Sequence, residues 1–168
     1  MLTPAPVVEK LNEQIANEFH AAHNYMAMAC RFDELGLKML AQWFFRQGEE
    51  ERDHGKKILH YLLEVGADVK LRAIGEPVGD LSSPVAIVET ALAQEKKVTE
   101  QIHNLFALAE EHRDYATRSF LAWFVDEQVE EVATMTELLQ MLKLAGDQHL
   151  LQVEARVSEM LSAPADGG

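Results

Sequence analysis

Four stretches of the chain carry apolar residues at alternating steps of three and four, the spacing that lines up side chains on one face of an α-helix. These stretches cover about residues 4–33, 38–65, 84–112 and 114–145, and a shorter one covers about 147–161. The pattern therefore predicts an all-α protein with four long helices and a short fifth helix near the C-terminal end.

The ends of these stretches carry residues that are typical of helix boundaries. Thr3 followed by Pro4 predicts a capped start for the first helix, and Ser83 followed by Pro84 predicts the same for the third. Asp114 is the predicted cap of the fourth helix. The glycines expected to end helices are Gly66 and Gly146.

The segment 67–83 shows no sustained periodicity and contains Gly75, Pro77 and Gly79. Seventeen extended residues can span about 56 Å, which exceeds the roughly 42 Å length of a 28-residue helix. This segment can therefore cross the whole bundle and make the second and third helices parallel, while the short links on either side make antiparallel pairs. The prediction is a four-helix bundle with one long crossover between the second and third helices.

A carboxylate interrupts each of the four apolar faces near its middle. The interrupting residues are Glu18, Glu51 with His54, Glu95, and Glu131. Each lies within about three residues, or roughly 4.5 Å along the axis, of its helix midpoint, so the groups meet if the helix ends are aligned. The wider face of the fourth helix leaves three choices open: Glu127 or Gln128, Thr134 or Met135, and Met141 or Leu142.

No lysine or arginine occupies these faces, so His54 is the only cationic group available to the buried acids. Each uncompensated buried ion costs several kcal/mol, and a typical domain is stable by only about 5 to 15 kcal/mol. Protons or metal ions must therefore balance the charge. Carboxylate oxygens with one imidazole favour iron or manganese over copper, with zinc as a competitor.

Composition narrows the function further. The chain has 168 residues, 48% of them hydrophobic, which suits one domain over 1–168. Its formal net charge of −13 argues against nucleic acid and anionic membranes as partners, whereas metal cations are attracted. The single cysteine, Cys30, excludes an internal disulfide and a four-cysteine metal site and predicts a reducing, cytoplasmic location. No stretch has the pattern of a secretion signal or a transmembrane helix.

Large apolar residues also lie outside the four interior faces, in greater number than an isolated bundle would expose to water. They include Phe19, Trp43, Phe45, Trp123, Val125, Val129 and Val132. This excess predicts a homo-oligomer.

The motifs around the acids resemble those of the bacterial non-haem ferritins, and the resemblance covers about residues 4–161. The matching motifs are Leu11-Asn12-Glu13-Gln14-Ile15 with Glu18 and Tyr25, Glu50-Glu51-x-x-His54, Glu95, and Asp126-Glu127-Gln128-x-Glu130-Glu131. The resemblance implies a ferritin-like bundle, iron storage in a shell of 24 subunits, and a ferroxidase that oxidises ferrous iron with dioxygen or hydrogen peroxide.

The resemblance also implies where iron binds. One ion is expected at Glu18, Glu51 and His54, and the second at Glu51, Glu95 and Glu131, with Gln128 beside it. A third ion is expected toward the cavity, at Glu50, Glu127 and Glu130, with Glu131 shared. Tyr25 occupies the place of the family tyrosine near the pair and is a candidate for a redox role.

Two positions separate the chain from the haem-containing bacterioferritins, which carry a methionine after the bridging glutamate and a second Glu-x-x-His motif. Arg52 and Glu130 stand at those positions, so no haem is expected. Three alternatives remain open at this level: a bacterioferritin, a soluble di-iron oxygenase that acts on an organic substrate, and a structural bundle whose acids are protonated.

Overall fold

The computed structural model describes residues 3–163, and every regular element in that range is helical. The helices are α1 (Ala5–Glu34), α2 (Lys38–Glu64), α3 (Pro84–Glu111), α4 (Tyr115–Ala145) and α5 (Leu150–Ser162). A 3₁₀ turn at Asp147–His149 precedes α5. The prediction of four long helices and a short fifth one is confirmed.

The four long helices form two hairpins that pack side by side. α1 packs along α2 and α3 packs along α4, and contacts between α1 and α3 join the two pairs. Because residues 35–37 and 112–114 are the only links within the hairpins, each pair is antiparallel. α5 packs against α2 and α4.

Two glycines of α2 allow α1 to approach closely. A Cβ atom added at Gly48 would lie 3.3 Å from the carbonyl oxygen of Ala22, and one at Gly55 would lie 2.6 Å from the Phe19 ring. Larger residues at these positions would push the two helices apart. The close fit keeps the ligand-bearing face of α2 near that of α1.

The crossover between α2 and α3 has no regular structure, as predicted, and polar side chains of α1 hold it. Its backbone polar groups therefore find partners despite the absence of regular structure. Because the contacts advance along α1, the crossover runs the length of the bundle and α2 and α3 are parallel. The contacts are Asn12 Nδ2 to Asp68 O (2.9 Å), Lys70 N to Asn12 Oδ1 (2.6 Å), His20 Nε2 with Glu76 O (3.0 Å), Val78 N to Asn24 Oδ1 (3.1 Å) and Arg31 Nε to Leu81 O (3.3 Å).

The predicted cap of the first helix is wrong by one residue. Pro4, not Thr3, is the capping residue of α1, and the buried Thr3 hydroxyl has no hydrogen-bond partner within residues 3–163. Pro4 has an extended backbone, with ψ of 145°, and its carbonyl oxygen accepts hydrogen bonds from Val7 N and Val8 N at 3.0 Å. A residue with this ψ precedes the helix, so Pro4 is not its first helical position.

Most other boundaries agree with the sequence to within one residue. The Ser83 hydroxyl accepts from Ala86 N, and the Asp114 carboxylate accepts from Thr117 N, so both predicted caps are confirmed. Gly66 has a φ of +71°, as a terminating glycine does. The fifth helix begins at Leu150 and not at 147, because the chain leaves Gly146 through the tighter 3₁₀ turn.

The apolar interior consists of two clusters with a polar layer between them. One cluster contains Phe32, Phe44 and Leu138, and the other contains Leu11 and Ile102. On each long helix, the predicted acidic position lies between the segments that enter these two clusters. The structure also settles the face of α4, because its buried choices are Gln128, Met135 and Leu142.

Candidate metal centre

The four long helices bring their acidic residues together in the polar layer. α1 contributes Glu18, α2 contributes Glu51 and His54, α3 contributes Glu95, and α4 contributes Glu131. All five side chains are buried, and Glu18, Glu51 and Glu95 have no exposed surface. The convergence that the helical periodicity predicted is therefore present in the structure.

The donor atoms of these residues form two adjoining groups. Within each group, one ligand atom per residue lies within 4.8 Å of the others, in Glu18, Glu51 and His54 and again in Glu51, Glu95 and Glu131. Glu51 belongs to both groups. The arrangement suits two cations that share one bridging carboxylate.

Buried amide and hydroxyl groups donate hydrogen bonds to three of the four carboxylates. Gln14 Nε2 donates to Glu18 Oε1 at 2.8 Å, and Gln47 Nε2 donates to Glu131 Oε2 at 2.9 Å. The Tyr25 hydroxyl donates a short bond to Glu95 Oε1. Gln128 Nε2 lies 3.3 Å from Glu95 Oε2. These contacts hold Glu18, Glu95 and Glu131 in fixed orientations.

Glu51 differs from the other acids because, within residues 3–163, no amide, hydroxyl or amine group donates a hydrogen bond to either of its oxygens. Glu18 Oε2 also lacks one. The nearest basic atom to Glu51 is His54 Nδ1, 3.4 Å from Glu51 Oε2. Buried carboxylate oxygens without donors are costly, and a cation between them removes that cost. The unpartnered oxygens thus fit a pair of bound metal ions.

The metal-free site strongly disfavours ionised carboxylates. Burial, followed by the charges of neighbouring glutamates, raises the pKa of Glu51 well above its usual value. Burial raises the pKa of Glu95 to about 7, although the bonds from Tyr25 and Gln128 oppose the shift. Burial and the Glu95 charge raise the pKa of Glu131 to about 8. A divalent cation supplies the positive charge that these groups lack.

Tyr25 lies within the same electrostatic field. It is fully buried, and burial together with the charges of Glu95, Glu51 and Glu131 raises its pKa well above 10. The phenol therefore stays protonated and donates to Glu95. This contact places its hydroxyl at the edge of the second donor group, which contains Glu51, Glu95 and Glu131.

A third donor group lies on the α2–α4 side of the centre, where ligand atoms of His54, Glu127 and Glu131 fall within 4.8 Å of one another. Glu50 and Glu130 line the adjoining groove but belong to no such group among residues 3–163. The third site implied by resemblance thus differs in part from the donors that the structure brings together.

The same groove carries one basic side chain. Arg46 Nε lies 3.0 Å from Glu50 Oε1, one turn away on α2. The half-buried Glu127 has a raised pKa, chiefly because of burial. The groove therefore remains strongly acidic around a single ion pair.

Aromatic rings pack against the imidazole of His54. The ring centroids of Trp123 and Phe124 lie 5.4 Å and 5.9 Å from that of His54, both edge to face. Lys57 Nζ lies 3.4 Å from the centroid of the Trp123 ring. These rings restrict the orientation of the one nitrogen ligand.

Gln14 and Gln47 have no role predicted from the sequence, although both lie on interior faces. Gln14 is one turn before Glu18, and Gln47 is one turn before Glu51. A glutamine four residues before a buried acid lies on the same helix face, and this spacing could have predicted an amide near the acids. Which acid each amide contacts depends on helix packing, since Gln47 donates across the bundle to Glu131.

No helix within residues 3–163 combines the length and apolar character needed to cross a membrane.

Comparison with known proteins places these features in a family. A family model described as a ferritin-like domain matches residues 8–145. The bacterial non-heme ferritin of Staphylococcus aureus (strain MRSA252) is 43% identical over 141 residues, covering 84% of this chain and 85% of that protein. The bacterial non-heme ferritin of Staphylococcus saprophyticus is 44% identical over 141 residues, covering 84% of each chain.

Solved structures agree with this assignment. An open pore ferritin from the hyperthermophilic archaeon Archaeoglobus fulgidus has a TM-score of 0.90 and 38% identity, covering 94% of this chain and 97% of that one. A closed form engineered from the A. fulgidus ferritin has a TM-score of 0.89 and 38% identity, covering 93% and 96%. The relatives fit the non-haem interpretation better than the oxygenase or haem alternatives. The chain therefore belongs to the ferritin family of iron-storage proteins.

Proposed function

We propose that this protein is a ferroxidase that oxidises ferrous iron at the centre of its bundle and stores the ferric product inside a homo-oligomeric shell. One Fe(II) substrate ion binds at Glu18, Glu51 and His54, and the second binds at Glu51, Glu95 and Glu131. The observation that carries this proposal is Glu51, a fully buried carboxylate that is shared by both donor groups and has no hydrogen-bond donor.

The side chains account for the direction of the reaction. When bound, iron supplies the electrons that reduce dioxygen or hydrogen peroxide, and each Fe(II) becomes Fe(III). The carboxylates surround the metals with negative charge, which stabilises the trivalent product more than the divalent substrate. The low dielectric of the buried site strengthens that preference.

Tyr25 and Gln128 support the second iron ion through Glu95. The Tyr25 hydroxyl and the Gln128 amide both donate to this carboxylate, so they fix its orientation and reduce its basicity. Tyr25 is also the proposed redox-active side chain, because its hydroxyl lies at the edge of the second donor group.

The acidic groove between α2 and α4 supports a third iron position. Its side chains include Glu50, Glu127, Glu130 and Glu131, and His54 lies within ligand distance of Glu127 and Glu131. We expect this position to receive ferric iron on its way from the centre to the storage cavity. The acidic side chains favour a trivalent ion there.

The storage function requires an assembly. Exposed apolar side chains such as Phe45, Val129 and Leu151 support association with further copies of the chain. The family resemblance supports a shell of 24 subunits. The single cysteine supports a cytoplasmic location.

To test this, the protein is loaded with two ferrous ions per chain without oxygen and is then exposed to air. Absorbance measures the formation of the ferric product. The native protein should oxidise iron faster than buffer and keep it in solution with the protein. Glu51→Gln should reduce oxidation to the buffer rate, because it removes the shared ligand. Glu49→Gln is the matched control, since Glu49 pairs with Arg52 on the surface of the same helix. Native oxidation no faster than buffer would overturn the proposal.

A further inference from the structure

Hydrogen-bond donors are distributed unevenly over the two oxygens of Glu18. Gln14 Nε2 donates to Glu18 Oε1 at 2.8 Å, whereas no amide or hydroxyl among residues 3–163 donates to Oε2. Glu18 has no exposed surface and Gln14 is only 2% exposed, so neither side chain can exchange this contact for bulk water. One oxygen of Glu18 is thus occupied by the protein, and the other is free for a cation.

A second amide fixes the orientation of Gln14. Asn17 Nδ2 donates to Gln14 Oε1 at 3.1 Å. An amide oxygen accepts and cannot donate, so this bond places the NH₂ group of Gln14 toward Glu18. Asn17, Gln14 and Glu18 therefore form a directed chain of hydrogen bonds from the half-buried surface of α1 to the interior.

We propose that Gln14 is a positioning residue that makes Glu18 bind iron through Oε2 alone, with Asn17 holding Gln14 in the required orientation. The inference rests on the proposed ferroxidase function. The hydrogen bonds of the protein then explain why the two carboxylates of the first iron position differ. Glu18 offers one free oxygen, whereas both oxygens of Glu51 are free and can bridge two ions.

This constraint has a consequence for the first iron position. Glu18, Glu51 and His54 then contribute one donor atom each, and three protein ligands leave coordination positions open for the oxidant. If both oxygens of Glu18 bound the metal, one of those positions would be filled. Gln14 thereby acts on the reaction through Glu18 without touching the metal.

Gln101 provides a matched control for this role. Gln14, Asn17 and Gln101 line one surface groove of about 290 Å³ between α1 and α3. Gln101 Oε1 lies 3.4 Å from Gln14 Nε2 and makes no hydrogen bond to Glu18. Replacing Gln101 therefore changes the groove and a weak contact to Gln14 but leaves the bond from Gln14 to Glu18 in place.

The test uses Co(II) as a probe of the intact, metal-stripped assembly, because its visible absorption reports ligand number and geometry. Native protein should bind two Co(II) ions per chain at the centre. In Gln14→Met, one of these ions should bind about 10- to 100-fold more weakly, the usual effect of removing a hydrogen bond to a metal ligand. The absorption band of that ion should also change, while Gln101→Met should match native protein in both measurements.

Asn17→Ala should cause a smaller loss of Co(II) affinity and a smaller change in absorption. If Gln14→Met does not fold, Asn17→Ala serves as the test of the inference. The variants could instead melt at a lower temperature while their Co(II) affinity and absorption stay native. That result would show that Gln14 has a structural role only and would overturn the inference. An equal effect of Gln101→Met would also overturn it. Failure of native protein to bind Co(II) would defeat the proposed function as well, so the two failures are distinguishable.

Discussion

At the scale of single residues, Glu51 shows how the centre sacrifices stability for metal binding. Gln14, Gln47 and Gln128 each donate to a neighbouring acid, but no amide or hydroxyl in the described part of the chain donates to Glu51. Hydrogen bonds to Glu51 would stabilise the metal-free protein, but each would occupy one of the two oxygens that a bridging carboxylate needs. The absence of donors keeps both oxygens available to bridge.

Replacing Glu51 with glutamine should stabilise the metal-free protein while it removes ferroxidase activity. At neutral pH the metal-free fold must keep Glu51 protonated, whereas the unfolded chain releases that proton, and a neutral amide removes this cost. The NH₂ group of the amide also has carboxylate acceptors nearby. We expect a gain of about 1 kcal/mol or more, which corresponds to a rise of about 2–4 °C in the melting temperature per kcal/mol for a chain of this size. Calorimetry of chelator-treated protein measures the rise. A lower melting temperature in Glu51→Gln would contradict the explanation.

The raised pKa values of Glu95 and Glu131 predict a pH-dependent stability of the metal-free protein. In the folded state these groups titrate near 7 and 8, above their ordinary value of 4.5, so the fold retains protons that the unfolded chain releases. The stabilisation is therefore complete below about pH 4.5 and is lost as the pH rises toward 8. Melting temperature should fall between pH 5.5 and pH 8.5.

Glu131→Gln is the control for this pH dependence, because its side chain does not titrate. Its melting temperature should fall less over the same range than that of native protein. Bound divalent metal should also reduce the dependence, since the carboxylates are then ionised at every pH in the range. A native melting temperature that rises between pH 5.5 and pH 8.5 would show that these acids are not the controlling groups.

At the scale of helices, α5 is tied to the start of α2 by one carboxylate. Glu154 accepts hydrogen bonds from the backbone N–H groups of Met39, at 3.1 Å, and Leu40, at 2.8 Å. No side-chain cap within α2 satisfies these groups, so Glu154 caps α2 from another helix. Its negative charge also lies at the positive end of the α2 dipole.

Glu154→Gln should loosen both α5 and the first turn of α2. Loss of a helix cap typically costs about 0.5–2 kcal/mol, and the charge contributes further. Hydrogen exchange measured by mass spectrometry should be faster in α5 and at residues 38–41. Glu159→Gln is the matched control, because Glu159 pairs with Arg156 on the exposed side of α5. Equal exchange in the two variants would contradict the capping role.

At the scale of the whole molecule, charge and exposed apolar surface act in opposite directions. A formal charge of −13 per chain opposes association, yet Val129, Leu144 and Leu151 are exposed by 69%, 88% and 81%. Burial of such side chains between subunits can outweigh the repulsion between chains. The surface charges stay in water, where salt screens them, whereas the apolar side chains gain free energy by leaving water. A stable assembly is the expected result.

Sedimentation velocity should give a particle of about 450 kDa, which is 24 chains of 18.9 kDa. Leu151→Asp, which adds a charge to an exposed apolar position of α5, should shift the distribution toward smaller species if that position is buried between subunits. A native mass of a single chain would contradict the oligomer prediction. An unchanged distribution in the variant would instead place Leu151 outside the interfaces.

Periodicity along the sequence was sufficient to predict the bundle. Its three- and four-residue steps identified the five helices, and the length of 67–83 predicted the crossover. It also predicted that Glu18, Glu51, His54 and Glu95 share one level, because helix rise is constant. The cap at Thr3 was wrong, since a proline can either precede a helix or begin it, and ψ decides between the two.

The sequence by itself determined the interior faces of α1, α2 and α3 and the height of the acids along each helix, because these follow from the apolar pattern and the constant rise of a helix. Only the tertiary structure decided that Gln128 and not Glu127 is buried, that Gln47 reaches across to Glu131, and that Gln14 leaves one oxygen of Glu18 free. Those outcomes depend on helix rotation and side-chain rotamers, which are set by packing between helices that are distant in the chain. The kinds of ligand can be identified from each helix alone, whereas the hydrogen-bond partners of those ligands depend on how the helices pack together.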